Sequence, residues 1–128
     1  MTDTTSLMTG VDYVALPTED YERAAAFYGD TLGLPFVKRW GEMPAGEFQA
    51  GNLTLAVMQS EAFGREFRSG NTAVALQVDD VEAARTLLEQ KGVTFQGDVL
   101  DSGVCHMAFF SDPDGNPLIL HHRYAPKA

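Results

Sequence analysis

The chain predicts an α+β fold of two βαβββ modules in tandem, their mixed sheets enclosing a cleft. Two segments switch from strand-like alternation to helical spacing. Turn signals then cut each following stretch into short β-rich runs. A shift of sixty residues lays the first half on the second, the mark of an internal duplication.

From Val11, "VDYVALPTEDYERAAAFYGDTLGLPF" begins with alternation and then gathers Tyr21, Ala24, Ala25, Phe27 and Tyr28 on one helical face. Asp20 suits an N-cap and Gly33 the residue after a helix end, so a helix is expected over about residues 20–31. "PFVKRW", "AGEFQAG" and "NLTLAVMQ" follow as three strands. In the second half "TAVALQVDDVEAARTLLEQKGVTF" reads as strand, capped helix and strand, and "GVCHMAFFSD" with "NPLILHH" as a hairpin. The shift sets Val14-Ala15-Leu16 on Val74-Ala75-Leu76, Asp20 on Asp80, Glu22 on Glu82 and Ala24 on Ala84; after a one-residue gap Gly33 meets Gly92 and Phe36 meets Phe95. The expected organisation is a flexible tail over 1–9 and a single domain over 10–128, with modules at 10–60 and 71–124 joined by a linker at 61–70. A chain of 128 residues supports one core, whereas each half alone is too small to bury its sheet.

Composition narrows the function classes. A net charge of −9 with no basic cluster argues against nucleic acid and anionic lipid, and no apolar run reaches the roughly 20 residues of a membrane helix. The start "MTDTTSLMTG" has neither a basic nor an apolar signal region, so a soluble cytoplasmic protein with no membrane partner is expected. Cys105 stands alone in an apolar strand and reads as a small core residue. The acidic balance suits a cationic small molecule as well as simple solubility. There is no nucleophile elbow, phosphate-cradling loop or dinucleotide fingerprint, and Asp112 with Asp114 reads as turn chemistry rather than an acid pair.

The paired modules together with "FYGDTLGLPF", "VDDVEAA" and "SDPDGNPL" resemble the vicinal oxygen chelate superfamily over residues 11–124. That superfamily contains glyoxalase I, extradiol dioxygenases, fosfomycin-resistance enzymes and bleomycin-resistance binding proteins. The resemblance implies a divalent ion held by His, Glu or Gln, His and Glu at four positions, here Tyr13, approximately Leu55, Ala73 and Ile119. Alkyl side chains donate nothing to a cation and a neutral phenol is a poor lone ligand, so no metal at this site and no cofactor are expected. A homodimer is implied by the resemblance alone.

The three histidines, His106, His121 and His122, all fall in the last hairpin. "DPDG" predicts a Pro113-Asp114-Gly115 loop with Asp112 opposite Asn116, which pairs Phe109 with Ile119, Met107 with His121 and His106 with His122. His121 then shares a face with Ile119, and His106 and His122 take the opposite face. A one-residue slip would set His106 against His121 instead, and two imidazoles leave a relocated metal open as the lesser reading. Glu47 is the nearest candidate carboxylate, with a facing that depends on the Ala50-Gly51-Asn52 turn.

The expected ligand-binding set is Tyr13, Trp40, Phe48, Leu55, Gln77, Met107, Phe109, Ile119 and His121, apolar walls with a few polar groups. Two function classes follow. One is a metal-independent protein that binds and sequesters a small amphipathic or cationic molecule in the concave cleft, like the bleomycin-resistance branch. The other is a glyoxalase-like or dioxygenase-like lyase or isomerase, with either a non-standard metal site or metal-free chemistry in which His121 acts as base and Tyr13 as acid.

Overall fold

Residues 6–126 are described by a computed structural model; residues 1–5 of the expected tail lie outside them. The first module comprises β1 (Val14–Thr18), α1 (Tyr21–Ala26) continued by a π-helical turn over Phe27–Thr31, β2 (Phe36–Arg39), β3 (Ala45–Ala50) and β4 (Leu53–Gln59). A 3-10 turn, Ser60–Phe63, leads into the connecting segment. The second module comprises β5 (Val74–Gln77), α2 (Val81–Gln90), β6 (Phe95–Asp101), β7 (Cys105–Ser111) and β8 (Pro117–Arg123). Each module forms one four-stranded mixed sheet, in the orders β1-β4-β3-β2 and β5-β8-β7-β6.

Matching local chemistry produces the duplication. Asp20 and Asp80 adopt the same extended backbone, and each side chain accepts the N–H three residues on, from Arg23 and Ala83. Both helices are followed by a glycine in the left-handed region, Gly33 and Gly92, where a side chain would be strained. The first helix departs from the expected single α-helix over 20–31, because its last turn widens to π geometry.

Strand alternation sends one face of each sheet into a common core. In the first sheet Leu16, Phe48, Leu55 and Val57 pack beneath Tyr21, Ala24, Phe27 and Tyr28; in the second Ala108, Phe110, Leu118 and Leu120 pack with Val81, Leu88 and Phe95. Phe48 and Leu55, expected in the ligand site, are therefore corrections. They pair with each other across β3 and β4, and both are buried on the helix side. The repeat explains the error: Val14 lies beside Leu55 as Val74 lies beside Leu118, and Ala15 beside Ala56 as Ala75 beside Ile119. The position equivalent to Ile119 is Ala56, one residue later than the sequence alignment placed it.

A buried polar latch joins the modules, built from the "DPDGN" turn. Asp112 Oδ1 accepts the backbone N–H groups of Asp114 and Asn116, both at 2.9 Å. Its Oδ2 accepts the Tyr28 hydroxyl at 2.6 Å and Asn116 Nδ2 at 2.7 Å. Asn116 Nδ2 also donates to Pro17 O, while Asp114 Oδ1 accepts Arg23 Nη2 at 2.7 Å and the Glu19 N–H at 3.0 Å. These aspartates are turn groups, as their spacing predicts, and they also fasten β1 and α1 to the second module.

The ionisation of Tyr28 is pushed far above the ordinary tyrosine range, first by burial and then by the charge and hydrogen bond of Asp112. A group whose folded-state pKa is raised stabilises fully below its unfolded value, so this contribution persists up to about pH 10 and is lost above it. Tyr28→Phe is expected to cost about 1–2 kcal/mol at pH 7, because one buried bond to a charged acceptor is lost. The variant should also lose stability less steeply above pH 10, by up to about 1.4 kcal/mol per pH unit. Urea midpoints measured at pH 7 and across pH 10–11 check both effects.

Candidate small-molecule site

The faces of the sheets that point away from the helices carry the candidate site residues. In the first sheet Tyr13, Ala15 and Pro17 alternate outward from the buried Leu16 and Thr18. Glu47 lies opposite Ala56 and next to Phe48, which turns it to this same outward face. That settles the facing the sequence left open. Across the sheet, Ala15, Ala56, Glu47 and Lys38 form one cross-strand row.

A cleft of about 680 Å³ opens here, lined by Tyr13, Ala15, Pro17, Met58 and Phe63 and rimmed by Arg65, Glu66 and Arg68. Tyr13 meets Trp40 edge-on at 5.4 Å between ring centroids, and Trp40 meets Phe63 edge-on at 6.3 Å. Trp40 Nε1 donates to Glu47 Oε2 at 2.6 Å, which fixes the indole and gives the half-buried carboxylate one partner. Ser69 and Gly70 hold the far end of the connecting segment by donating to Asp114 O and Asn116 Oδ1. The turn latch thus also anchors the segment that covers the cleft.

The second sheet shows the register its turn predicts: Phe109 pairs with Ile119, Met107 with His121 and His106 with His122. Gly115 adopts a positive φ of 85° and donates to Asp112 O, closing the loop. Ile119, His121, Met107 and Phe109 share the outward face with Ala75 and Gln77 of β5. His106 stacks on Tyr124 at 4.8 Å and lies 3.4 Å from Asp101, away from that face.

The predicted residues therefore divide into three groups. Tyr13 lines the cleft of the first sheet and Trp40 packs against it; Gln77, Met107, Phe109, Ile119 and His121 occupy the open face of the second; Phe48 and Leu55 are core. The walls of the Tyr13 cleft come from β1, β4 and the connecting segment, with no contribution from β7 or β8. Tyr13 and His121 accordingly do not meet as an acid–base pair within this cavity. Sequence reasoning missed Met58, Phe63, Arg65, Glu66 and Arg68. The available signal was the alternation of Phe63 and Phe67 with charged residues in "SEAFGREFRSG", unusual for a plain linker.

The four family positions, taken with Ala56 in place of Leu55, hold a phenol and three alkyl groups and do not fit a divalent ion. Among the described residues, no three His, Cys, Asp or Glu side chains gather in a group able to hold one. No helix among these residues is long and apolar enough to cross a membrane.

Two βαβββ sheets that share a helix-side core, with a cleft on the face opposite the helices, define a paired-module α+β protein. The model of the Glyoxalase/Bleomycin resistance protein/Dioxygenase superfamily matches residues 10–120, and the chain belongs to that superfamily. Lactoylglutathione lyase of Schizosaccharomyces pombe is 26% identical over 161 aligned positions; the match takes in 100% of this chain and 53% of that protein, so the chain spans about half the length of this relative. Among solved structures, TnmS3, an antibiotic binding protein from Streptomyces sp. CB03234, is similar with a TM-score of 0.79 and 24% identity over 93% of this chain and 99% of that one. Lactoylglutathione lyase from Agrobacterium tumefaciens is similar with a TM-score of 0.73 and 20% identity, covering 91% and 95%.

Proposed function

We propose that this protein binds and sequesters a small amphipathic or cationic molecule in the Tyr13 cleft without a metal ion. The observation that carries this reading is a cleft of about 680 Å³ walled by Tyr13, Met58 and Phe63 beside Trp40, in a fold whose family metal positions hold one phenol and three alkyl groups here. Its mixture of aromatic walls and a few polar groups is the composition of a ligand pocket. The antibiotic-binding neighbour is in keeping with such a role on this fold.

A thermal-shift screen of small amphipathic molecules, run with and without EDTA, tests the reading. Saturable stabilisation that is unchanged by EDTA, with no product by mass spectrometry, is expected. Ala15→Phe places a ring in the cleft from an exposed position and is expected to weaken binding at least about tenfold, roughly 1.4 kcal/mol, with little change in melting temperature. Turnover of a bound compound, or stabilisation abolished by EDTA, overturns the proposal.

The functional assembly is a homodimer in this reading. Phe36 and Val37 are exposed in the first module, and Leu100 and Val104 in the second, while Ile119 and Phe109 on the open face of the second sheet are only half-buried. A second copy would bury these groups. Light scattering at micromolar concentration is expected to give twice the mass of one 13.9 kDa chain, and a monomer overturns this part.

A further inference from the structure

We infer that Glu47 is the charged specificity group of the cleft and that its ligand carries a protonated amine beside an apolar body. This deepens the proposed function and rests on the Tyr13 cleft being the ligand site. Glu47 stands beside the walls of the cleft: it shares a cross-strand row with Ala15, which is exposed and lines the cleft, with Ala56 between them. Its Oε2 is held by the Trp40 indole N–H at 2.6 Å, so the carboxylate is positioned before any ligand arrives. Oε1 has no donor among the described residues, and Lys38, directly opposite on β2, forms no ion pair with Glu47 among them. The free oxygen is left to accept from a ligand cation.

The rings linked to this carboxylate through Trp40 serve the same ligand chemistry. Tyr13, Trp40 and Phe63 form an edge-to-face chain, and aromatic faces attract a cation where their edges do not. An ammonium group on Glu47 places its hydrocarbon body against these rings. The arginines at the rim do not neutralise the carboxylate: both are exposed, where water and salt screen them, and Arg68 lies 3.9 Å from Glu66. Glu47 is half-buried and is screened less.

Trp40 is the sole tryptophan and touches Glu47, so its fluorescence reports directly on the site. The test titrates the full chain with 4-phenylbutylamine and with the uncharged 4-phenylbutanol. The amine is expected to bind about tenfold more tightly, and Glu47→Gln, whose amide oxygen still accepts from Trp40, is expected to abolish the difference. Glu47→Asp, which keeps the charge, should retain part of the preference and guards against a Gln variant that fails to fold. Equal binding of the two probes in wild type overturns the role of Glu47 while leaving the cleft as the site. A preference for the amine that survives in Glu47→Gln also overturns it. If neither probe binds saturably up to millimolar concentration, the amine class is overturned, and the cleft itself stands or falls by the thermal-shift screen.

Discussion

Asp112→Ala is expected to destabilise the protein by about 3–5 kcal/mol at neutral pH, because several buried donors lose one shared acceptor. The carboxylate is buried and accepts four hydrogen bonds, from two backbone N–H groups, the Tyr28 hydroxyl and Asn116 Nδ2. Alanine leaves those donors without the acceptor around which the turn is folded. Since Asn116 also reaches Pro17 O and Gly70 N, the damage should spread to β1 and to the segment covering the cleft. Equilibrium urea unfolding measures the loss, and the same variant should bind cleft ligands more weakly even where it remains folded. A loss below about 1 kcal/mol would mean that water replaces Asp112 and that the latch is not what joins the modules.

Leu55→Ala is expected to cost about 2–5 kcal/mol, the range for removing a fully buried leucine and leaving a cavity. Ligand affinity of the folded protein should stay unchanged, since Leu55 faces Val14 and Phe48 on the helix side of the sheet. This outcome separates the structural register from the sequence-level placement of Leu55 in the site. A variant of near wild-type stability that fails to bind would restore the sequence-level placement. Urea unfolding and the thermal-shift titration, run on the same preparation, distinguish the two.

The fold was legible because its signals are local and repeated. Asp20 and Asp80 cap helices, Gly33 and Gly92 end them, and the "DPDGN" turn fixes the register of β7 and β8 through one loop length. The π turn at Phe27–Thr31 was not legible, because its residues carry the same apolar spacing as an α-helix. The site was half legible. Tyr13 lines the candidate cleft with Trp40 against it, and the register of the last hairpin correctly sent His121 and Ile119 to one face. Leu55 and Phe48 were misassigned because apolar strands carry no mark of which face is the core, and in a two-residue alternation a one-residue error exchanges the faces. Glu47 needed the β3–β4 pairing, a contact between strands that only a resolved turn fixes. The role of the connecting segment was hidden for another reason: Ser69 and Gly70 are held by Asp114 and Asn116, which lie about 45 residues away in sequence.

In the proposed function the cleft works without a metal, because the family positions hold Tyr13, Ala56, Ala73 and Ile119. The most direct test is elemental analysis of protein purified without chelators, then incubated with Zn, Ni, Mn, Co and Fe(II) and desalted. Far less than one ion per chain is expected for every metal. One tightly held ion per chain, or one per two chains, would contradict it.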